Sequence, residues 1–434
     1  MVQLNTQQEE AKNLIVKWFN SNPSGENLIF TLAGYAGVGK TFLIDYVINE
    51  VLKLPKNKVA FVAPTGKAAS LLVQKGNRAT TIHRLVYNYV DSEKKDKNGN
   101  AIPKFIKKSE IPNFKLIVVD EVSMVSADIL KDIISFNIPI LAVGDPGQIP
   151  PVLATSNKLL LHPDYTLTEI VRQSEGNQII YISFLARTGK EIPCGKYGDT
   201  VIVINREDIP EQEYKNILLK ADQIICGKNS TRVKINNYIR DLKGFREKTP
   251  ECGDKIICCQ NNYNISLDKD GDFPLVNGTI GTVTNYESVN EEEQLGKLRL
   301  KAEFLDKETD EDIIIDQGIF TSDNHNFIYD RHQHVYKLKD GQYKVSLSLK
   351  KQENMTSEQH KKIIAAEIKR RCSSTREFQI SDFDFAYAIS VHKAQGSQFG
   401  KVVLFDESDC FRAYKKQWLY TAITRASEKL IIIK

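Results

Sequence analysis

No stretch of this 434-residue chain stays apolar for the roughly 20 residues that a membrane span needs. The N-terminal residues also lack the long apolar core of a signal peptide. The expectation is an intracellular protein without a membrane partner. Charge of one sign is missing too: 59 Lys and Arg stand against 55 Asp and Glu, a net of +4 that decides nothing about a polyanionic partner. None of the seven cysteines (Cys194, Cys226, Cys252, Cys258, Cys259, Cys372 and Cys410) forms a CxxC pair. That argues against a zinc site and a disulfide framework, and the thiols read as reduced, several of them core filler. Internal repeats and low-complexity tracts are absent. What remains, 41% hydrophobic and 26% charged, is an ordinary soluble composition. The length suits about two to four domains.

Against that plain background stands Gly34-Tyr35-Ala36-Gly37-Val38-Gly39-Lys40-Thr41. It follows an apolar run, Leu28–Leu32, that reads as a buried strand, and precedes Phe42-Leu43-Ile44, which can open a helix. Glycines in that position let backbone N–H groups curl around phosphate oxygens, and the helix N-terminus adds positive potential. Gly37, Val38 and Gly39 would cradle the phosphates. Lys40 would reach the β- and γ-phosphates, and Thr41 would ligate Mg²⁺ through its hydroxyl.

Four runs in the first half, Leu28–Leu32, Val59–Val62, Leu116–Val119 and Ile138–Val143, are continuous Val/Ile/Leu-rich segments separated by helical patterns. This predicts a parallel sheet buried on both faces, with ligands beyond the carboxyl ends of its strands. A second set, Val201–Ile204, Ile224–Cys226, Val402–Phe405 and Leu430–Ile433, predicts a second α/β domain. The segment interrupting it, 251–383, is turn-rich and β-branched around Gly253–Ile257 and Asn277–Val283, as in a small antiparallel barrel. Within it, residues 287–316 are acidic and residues 350–376 are largely basic, with a helix expected from about Thr356. A shorter interruption, Val86–Phe114, carries lysines and an Asn98-Gly99-Asn100 turn that predict an exposed β-hairpin.

Asp120-Glu121 ends the run Leu116–Val119. Beside a phosphate loop, Asp120 would hold Mg²⁺ and Glu121 would orient and deprotonate an attacking water. The alternative is a helix cap, since Asp is a good N-cap and Ser123 follows. Hydrolysis also needs positive charge on the developing phosphate oxygens, for which Arg172 and Arg425 are candidates.

The ordered motifs resemble those of superfamily 1 helicases, specifically the RecD-like branch that includes the phage Dda helicases, from Leu4 to Arg425. Leu4–Gln8 looks like the Q motif, implying that Gln8 reads the adenine edge. Ala63–Ala69 resembles motif Ia and Thr80–His83 motif Ib, which implies that Pro64, Thr65, Lys67, Thr81 and His83 touch single-stranded DNA. Asp120–Ser123 is similar to motif II. Gly144–Pro151 is similar to motif III, with Gln148 sensing the γ-phosphate and Pro150 on the DNA side. Arg172 falls on motif IV. Val391–Ser397 resembles motif V, placing His392 at DNA and Gln395 and Gly396 at the nucleotide. Tyr420–Arg425 resembles motif VI.

The resemblance implies two RecA-like parallel-sheet motor domains with ATP and Mg²⁺ between them, and Arg172 and Arg425 reaching across as catalytic groups. It divides the chain into 1–85 with 115–172 (domain 1A), 86–114 (a β-hairpin pin), 173–250 with 384–434 (domain 2A) and 251–383 (an SH3-like β-barrel insert with an extension). The implied activity is ATP-dependent 5′→3′ translocation on single-stranded DNA by a monomer. The hairpin would separate the duplex at fork junctions, alongside replication or recombination proteins. Two alternatives stay open: an ATP-gated nucleic-acid translocase or clamp without strand separation, and an RNA-directed motor. Thr65 and Lys67 have a plainer reading as N-cap and first-turn surface residues, and the pin aromatics as the hairpin's own small core.

Overall fold

A computed structural model describes residues 4–90, 104–150, 158–170, 177–259, 261–267, 273–290, 295–303, 305, 307–309, 312–317, 320, 334–337, 343–346, 376–379 and 381–434. Arg172, Pro151, the Asn98–Asn100 turn, Glu291–Glu293 and the helix expected from Thr356 lie outside the described residues. The chain forms two compact units. One comprises Met1–Tyr87, Lys107–Arg232 and Ala388–Lys434, and the other Asn88–Ile106 and Val233–Tyr387.

The first unit holds two six-stranded sheets. In one, the strands run in the order Ala79–Thr81, Val59–Ala63, Leu116–Val119, Ile140–Gly144, Ile29–Gly34 and Tyr165–Leu167, and every neighbouring pair is parallel. The four apolar runs of the first half all become central strands. Leu116–Val119 shows why they carry no alternation: all four residues are buried, because both faces of the sheet are covered. Ile138 falls outside its strand, which starts at Ile140 just after Pro139, a residue that cannot donate to a ladder.

The second sheet orders Ala388–Ser390, Gln223–Cys226, Phe399–Phe405, Ala426–Ile433, Val201–Ile204 and Gly195–Tyr197. All its pairings are parallel except the antiparallel edge strand Gly195–Tyr197. Trp418 is fully buried in the helix Lys415–Ile423 and stacks on Phe411 with ring centroids 5.0 Å apart. Trp18, in the helix Thr6–Asn20, packs against the first sheet. Its ring meets Phe30 at 5.6 Å and its Nε1 donates to the Asn27 carbonyl at 2.8 Å.

The second unit is built on an antiparallel sheet ordered Lys307–Glu308, Leu295–Ala302, Ile280–Asn290, Lys255–Cys258 and Phe383–Phe385, with Ile313–Asp316 paired to Leu295–Ala302. Ile256, Val283, Leu298, Leu300, Ile313 and Phe383 form its dry side. Arg240 is buried at one end of it. Its Nε and one Nη donate to the Asp254 carboxylate at 3.0 Å, and its other donors reach the carbonyls of Glu247 and Thr249. Asp254 is wholly buried and takes further hydrogen bonds from the Tyr387 hydroxyl and the Glu251 amide. Separately, Tyr87–Val90 and Lys104–Lys107 pair as a two-stranded sheet. These strands are shorter than the whole interruption Val86–Phe114: Val86 ends the helix Ile82–Val86, and Phe114 lies beyond the second strand.

Candidate nucleotide and nucleic-acid site

The glycine loop leaves the strand Ile29–Gly34 and enters the helix Lys40–Tyr46. Gly37 and Gly39 hold φ of 82° and 77°, a left-handed backbone that turns successive N–H groups inward and suits glycine. The Lys40 ammonium donates to the carbonyls of Gly34 at 2.6 Å and Tyr35 at 3.0 Å, so it is aimed into the loop it would share with phosphates. Gln8 Nε2 donates to the Val38 carbonyl at 3.2 Å, while its Oε1 accepts from the Asn5 amide in a capping box. Both ends of the Gln8 carboxamide are thus engaged inside the protein, and one of them anchors the phosphate loop.

Asp120 and Glu121 stand at the carboxyl end of Leu116–Val119. Asp120 Oδ1 accepts from the Glu121 amide, while Ser126 caps the helix Ala127–Ile134; Asp120 is therefore not the cap of that helix. Glu121 takes a left-handed backbone with φ of 50°, costly for a side chain of its size. Burial, reinforced by the Asp120 carboxylate, pushes the Glu121 carboxyl up to about 7, against the opposing pull of Arg425 and Lys40. Burial likewise raises Asp120, with the Glu121 backbone amide and Lys40 opposing it. A cation between these groups would be favoured by two desolvated carboxylates, the donor chemistry that a hard divalent ion takes.

The loop after Ile140–Gly144 is held from the second sheet's side. The Tyr420 hydroxyl donates to Asp145 at 2.6 Å and accepts from the Ala36 amide of the glycine loop at 2.8 Å. Ile149 donates its amide to Thr421 Oγ1 at 3.1 Å and accepts at its carbonyl from Gln395 Nε2 at 2.9 Å. Gly147 is needed here because a Cβ would lie 2.8 Å from the Tyr420 ring. Gln148 is buried, and its Oε1 has no partner within hydrogen-bonding reach among the described residues. A buried amide oxygen left unpaired costs about 1–3 kcal/mol, so this end of the side chain is suited to an incoming hydrogen-bond donor.

Arg425 is buried, and its fork is spent on the carbonyls of Thr421 and Ser397 and on Thr424 Oγ1, all near 3 Å. Lys40, Asp120, Glu121, Gln148, Gln395 and Arg425 thus come together, and Thr41 follows Lys40 in the first turn of its helix. Gly396, with φ of 70°, packs against the start of the helix Gly66–Gln74, where a Cβ would lie 3.4 Å from Thr65 Oγ1. That contact brings the Val391–Ser397 segment onto the helix Gly66–Gln74.

The DNA candidates occupy more than one setting. Thr65 caps the helix Gly66–Gln74 by accepting from Ala68, and Thr81 caps Ile82–Val86 by accepting from Arg84. Lys67 places its ammonium 4.6 Å from the Phe399 ring centroid. Pro64 directly follows the strand Val59–Ala63, Pro150 lies further along the loop after Ile140–Gly144, and both are half-buried. Burial holds both His83 and His392 below the ordinary imidazole range, so they are neutral near pH 7. Their rings lie against Tyr87 and Phe411 respectively.

Sequence reasoning gave no separate role to Gln7, Tyr420 or Arg187. Gln7 Oε1 accepts from the amides of Thr168 and Glu169, both at 2.8 Å, steadying the chain that leads to Arg172. The Arg187 guanidinium lies 3.6 Å over the Tyr35 ring, which meets Tyr420 edge-on. Of these, Tyr420 and Gln7 carried a signal, since Tyr420 opens Tyr420–Arg425 and Gln7 lies within Leu4–Gln8.

Comparison with known proteins places this arrangement. Residues 3–203 match the model of an AAA domain, and residues 385–433 match a UvrD-like helicase C-terminal domain. The ATP-dependent DNA helicase Pif1 of Campylobacter jejuni is 27% identical over 54% of the chain and 62% of its own length. The ATP-dependent RecD2 DNA helicase of Deinococcus radiodurans is 32% identical over 61% of the chain and 37% of its own length. These matches support a superfamily 1 helicase of the RecD/Pif1/Dda branch. The chain spans less than two thirds of the length of either of these superfamily 1 relatives. A solved structure of Candida albicans Pif1 helicase aligns over 100% of the chain and 95% of its own, with a TM-score of 0.49 at 16% identity.

Proposed function

We propose that the chain is an ATP-dependent DNA helicase that translocates 5′→3′ along single-stranded DNA, with Mg²⁺ as the metal partner of the nucleotide. The observation that carries this is the Tyr420 bridge. One side chain touches the phosphate loop at Ala36 and the Asp145 corner of the loop that carries Gln148, while Thr421 and Gln395 grip the same loop at Ile149. Any change at the phosphate loop is therefore felt in the two segments that carry the DNA candidates Pro150 and His392.

In this reading Lys40 and Thr41 bind the nucleotide, the Thr41 hydroxyl and Asp120 would hold its metal, and Glu121 takes the proton from an attacking water. MgATP, when bound, supplies the phosphoanhydride whose cleavage drives the cycle. Gln148 Oε1, an acceptor, would take a hydrogen bond from a donor on the nucleotide side such as the attacking water. Arg425 and Arg172 turn their guanidinium groups to the charge that develops in the transition state, and Gln8 and Gln395 with Gly396 line the nucleotide. Pro64, Thr65, Lys67, Thr81, His83, Pro150 and His392 face the single strand. Two packings of the motor sheets, one favoured by the triphosphate and one by its products, convert hydrolysis into movement because the two differ in their contacts to it.

The assigned parts are two RecA-like motors (1–85 with 115–172, and 173–250 with 384–434), a pin at 86–114 that splits the duplex, and an SH3-like insert at 251–383. We assign it as a monomer acting in the cytoplasm at fork junctions, where replication or recombination proteins meet it. The relatives named as ATP-dependent DNA helicases support this reading. Strand displacement on matched duplexes with a 5′ or a 3′ single-stranded tail tests it. Unwinding from the 5′ tail alone is the expected result. ATPase stimulated by single-stranded DNA with neither duplex opened would leave a translocase or clamp, and equal stimulation by RNA would point to an RNA motor.

A further inference from the structure

The second parallel sheet is covered unevenly. Along Val201–Ile204, Val201 and Val203 are buried while Ile202 and Ile204 remain half-exposed, and so does Ile431 beside them. Parallel register sets Ile202 next to Ile431 and Ile431 next to Val403, which makes an apolar row across three strands. The helix Glu211–Leu219 sinks Tyr214 and Leu218 into the core and leaves half-buried Ile217 on the side of the row. Between helix and sheet lies a cavity of about 520 Å³, within the size range of specific binding pockets.

The cavity carries charge that the fold does not neutralise. Two register steps along the strands from the apolar row, and so on the same face of the sheet, Lys401 stands directly opposite Lys429, and both are exposed. Like charges facing each other across adjacent strands destabilise a sheet. Lys220, just beyond the helix, is a third ammonium on the same rim. Among the described residues, none of the three makes an ion pair with a carboxylate, and Glu213 is the one acidic side chain lining the cavity.

We propose that this cavity docks a segment of a partner protein in which acidic side chains alternate with apolar ones. The apolar row takes the hydrophobic side chains, and Lys220, Lys401 and Lys429 take the carboxylates, which relieves the Lys401–Lys429 repulsion. Burial of the apolar side chains supplies affinity, and the lysines supply association rate and selectivity. A nucleic acid fits the lysines alone. The cavity lining has no aromatic ring for bases to stack on, and a phosphate backbone would leave the isoleucines uncovered. The site shares no residue with the phosphate loop or the DNA candidates, so it goes beyond the helicase reading and survives or falls independently of it.

Fluorescence anisotropy of a short fluorescein-labelled peptide alternating aspartate and leucine, titrated with the full chain, tests the proposal directly. Saturable binding is expected, weakened about ten-fold or more in Lys401→Glu/Lys429→Glu, which is a tenfold change in Kd. Ile217→Asp, at a half-buried position on the helix, should weaken it similarly. It carries the test alone if the double variant fails to give a cooperative melt. The proposal is overturned if the peptide shows no saturable binding, or if an alternating lysine–leucine peptide binds as well. Unchanged affinity in a folded variant overturns it too. So does displacement of the peptide by an unlabelled single-stranded oligonucleotide whose own affinity falls equally in the variants, which would assign the cavity to nucleic acid.

Discussion

The Tyr420 hydroxyl accepts a hydrogen bond from the Ala36 amide at 2.8 Å and donates one to Asp145 at 2.6 Å, joining two loops that follow different strands of the first sheet through a residue of the helix Lys415–Ile423. Asp145 is almost fully buried and turns its other oxygen to the Gly147 amide at 2.9 Å. Tyr420→Phe keeps the ring against Gly147 and removes only the bridge. Leaving the Asp145 oxygen without its donor should cost about 1–3 kcal/mol. We expect a lower melting temperature, nucleotide affinity within a few-fold of the parent chain, and a clear loss of DNA-stimulated turnover. Thermal melts and ATPase assays with and without single-stranded DNA check this. Stimulation equal to that of the parent would remove Tyr420 from the coupling path.

Glu121 is confined by its left-handed backbone and by the Asp120 carboxylate beside it. Glu121→Gln is nearly isosteric, so the backbone and the fold should persist. Removing a general base costs about 10²–10⁴ in rate. The expected variant binds ATP and single-stranded DNA but turns over at least about 100-fold more slowly. Single-turnover hydrolysis separates chemistry from binding, and near-normal turnover would remove Glu121 as the base.

Much of this arrangement was legible because it is local. Continuous apolar runs such as Leu116–Val119 announced strands buried on both faces, and the polar corners after them marked where ligands gather. The glycine loop could be read because its left-handed turns at Gly37 and Gly39 require that residue type. What the sequence hid is long-range. The Tyr420–Asp145 contact spans 275 positions, and Gln7 reaches Glu169 across 162. No periodicity encodes either pair. The half-exposure of Ile202 and Ile204 was equally invisible, since Val201–Ile204 is uniformly apolar and only the neighbouring helix decides which face is covered.

Arg240 and Asp254 give the second unit its own test. Their bidentate pair is buried on both sides, and Arg240 also lies 4.1 Å over the Phe385 ring. Removing one partner of such a pair typically costs about 3–5 kcal/mol, because the other charge is stranded. Arg240→Ala should therefore destabilise far more than Arg206→Ala. The latter's ion pair with Glu211 is solvent-exposed on both sides and belongs to a class worth about 0–1 kcal/mol. Urea melts of the two variants decide it, and equal losses would show that the Arg240 pair is not stabilising.

Arg425 combines a structural and a catalytic demand in one side chain. Its guanidinium bonds Thr421 and Ser397 at their carbonyls and Thr424 at its hydroxyl, while its charge lowers the proton affinity of Glu121. To serve the transition state it must exchange some of those bonds for developing phosphate charge, and a planar fork of five donors can do both where an ammonium cannot. Arg425→Ala is expected to lose about 10³-fold or more in turnover while still binding nucleotide. Arg425→Lys, which keeps the charge, should recover little of it. If lysine restored turnover, charge alone would suffice and the fork geometry would be irrelevant. If alanine left turnover intact, Arg425 would be a structural clasp between the helix Lys415–Ile423 and Ser397. Nucleotide affinity by equilibrium titration, set beside kcat for each variant, separates these cases, because a clasp would change stability and binding together whereas a transition-state contact changes kcat alone.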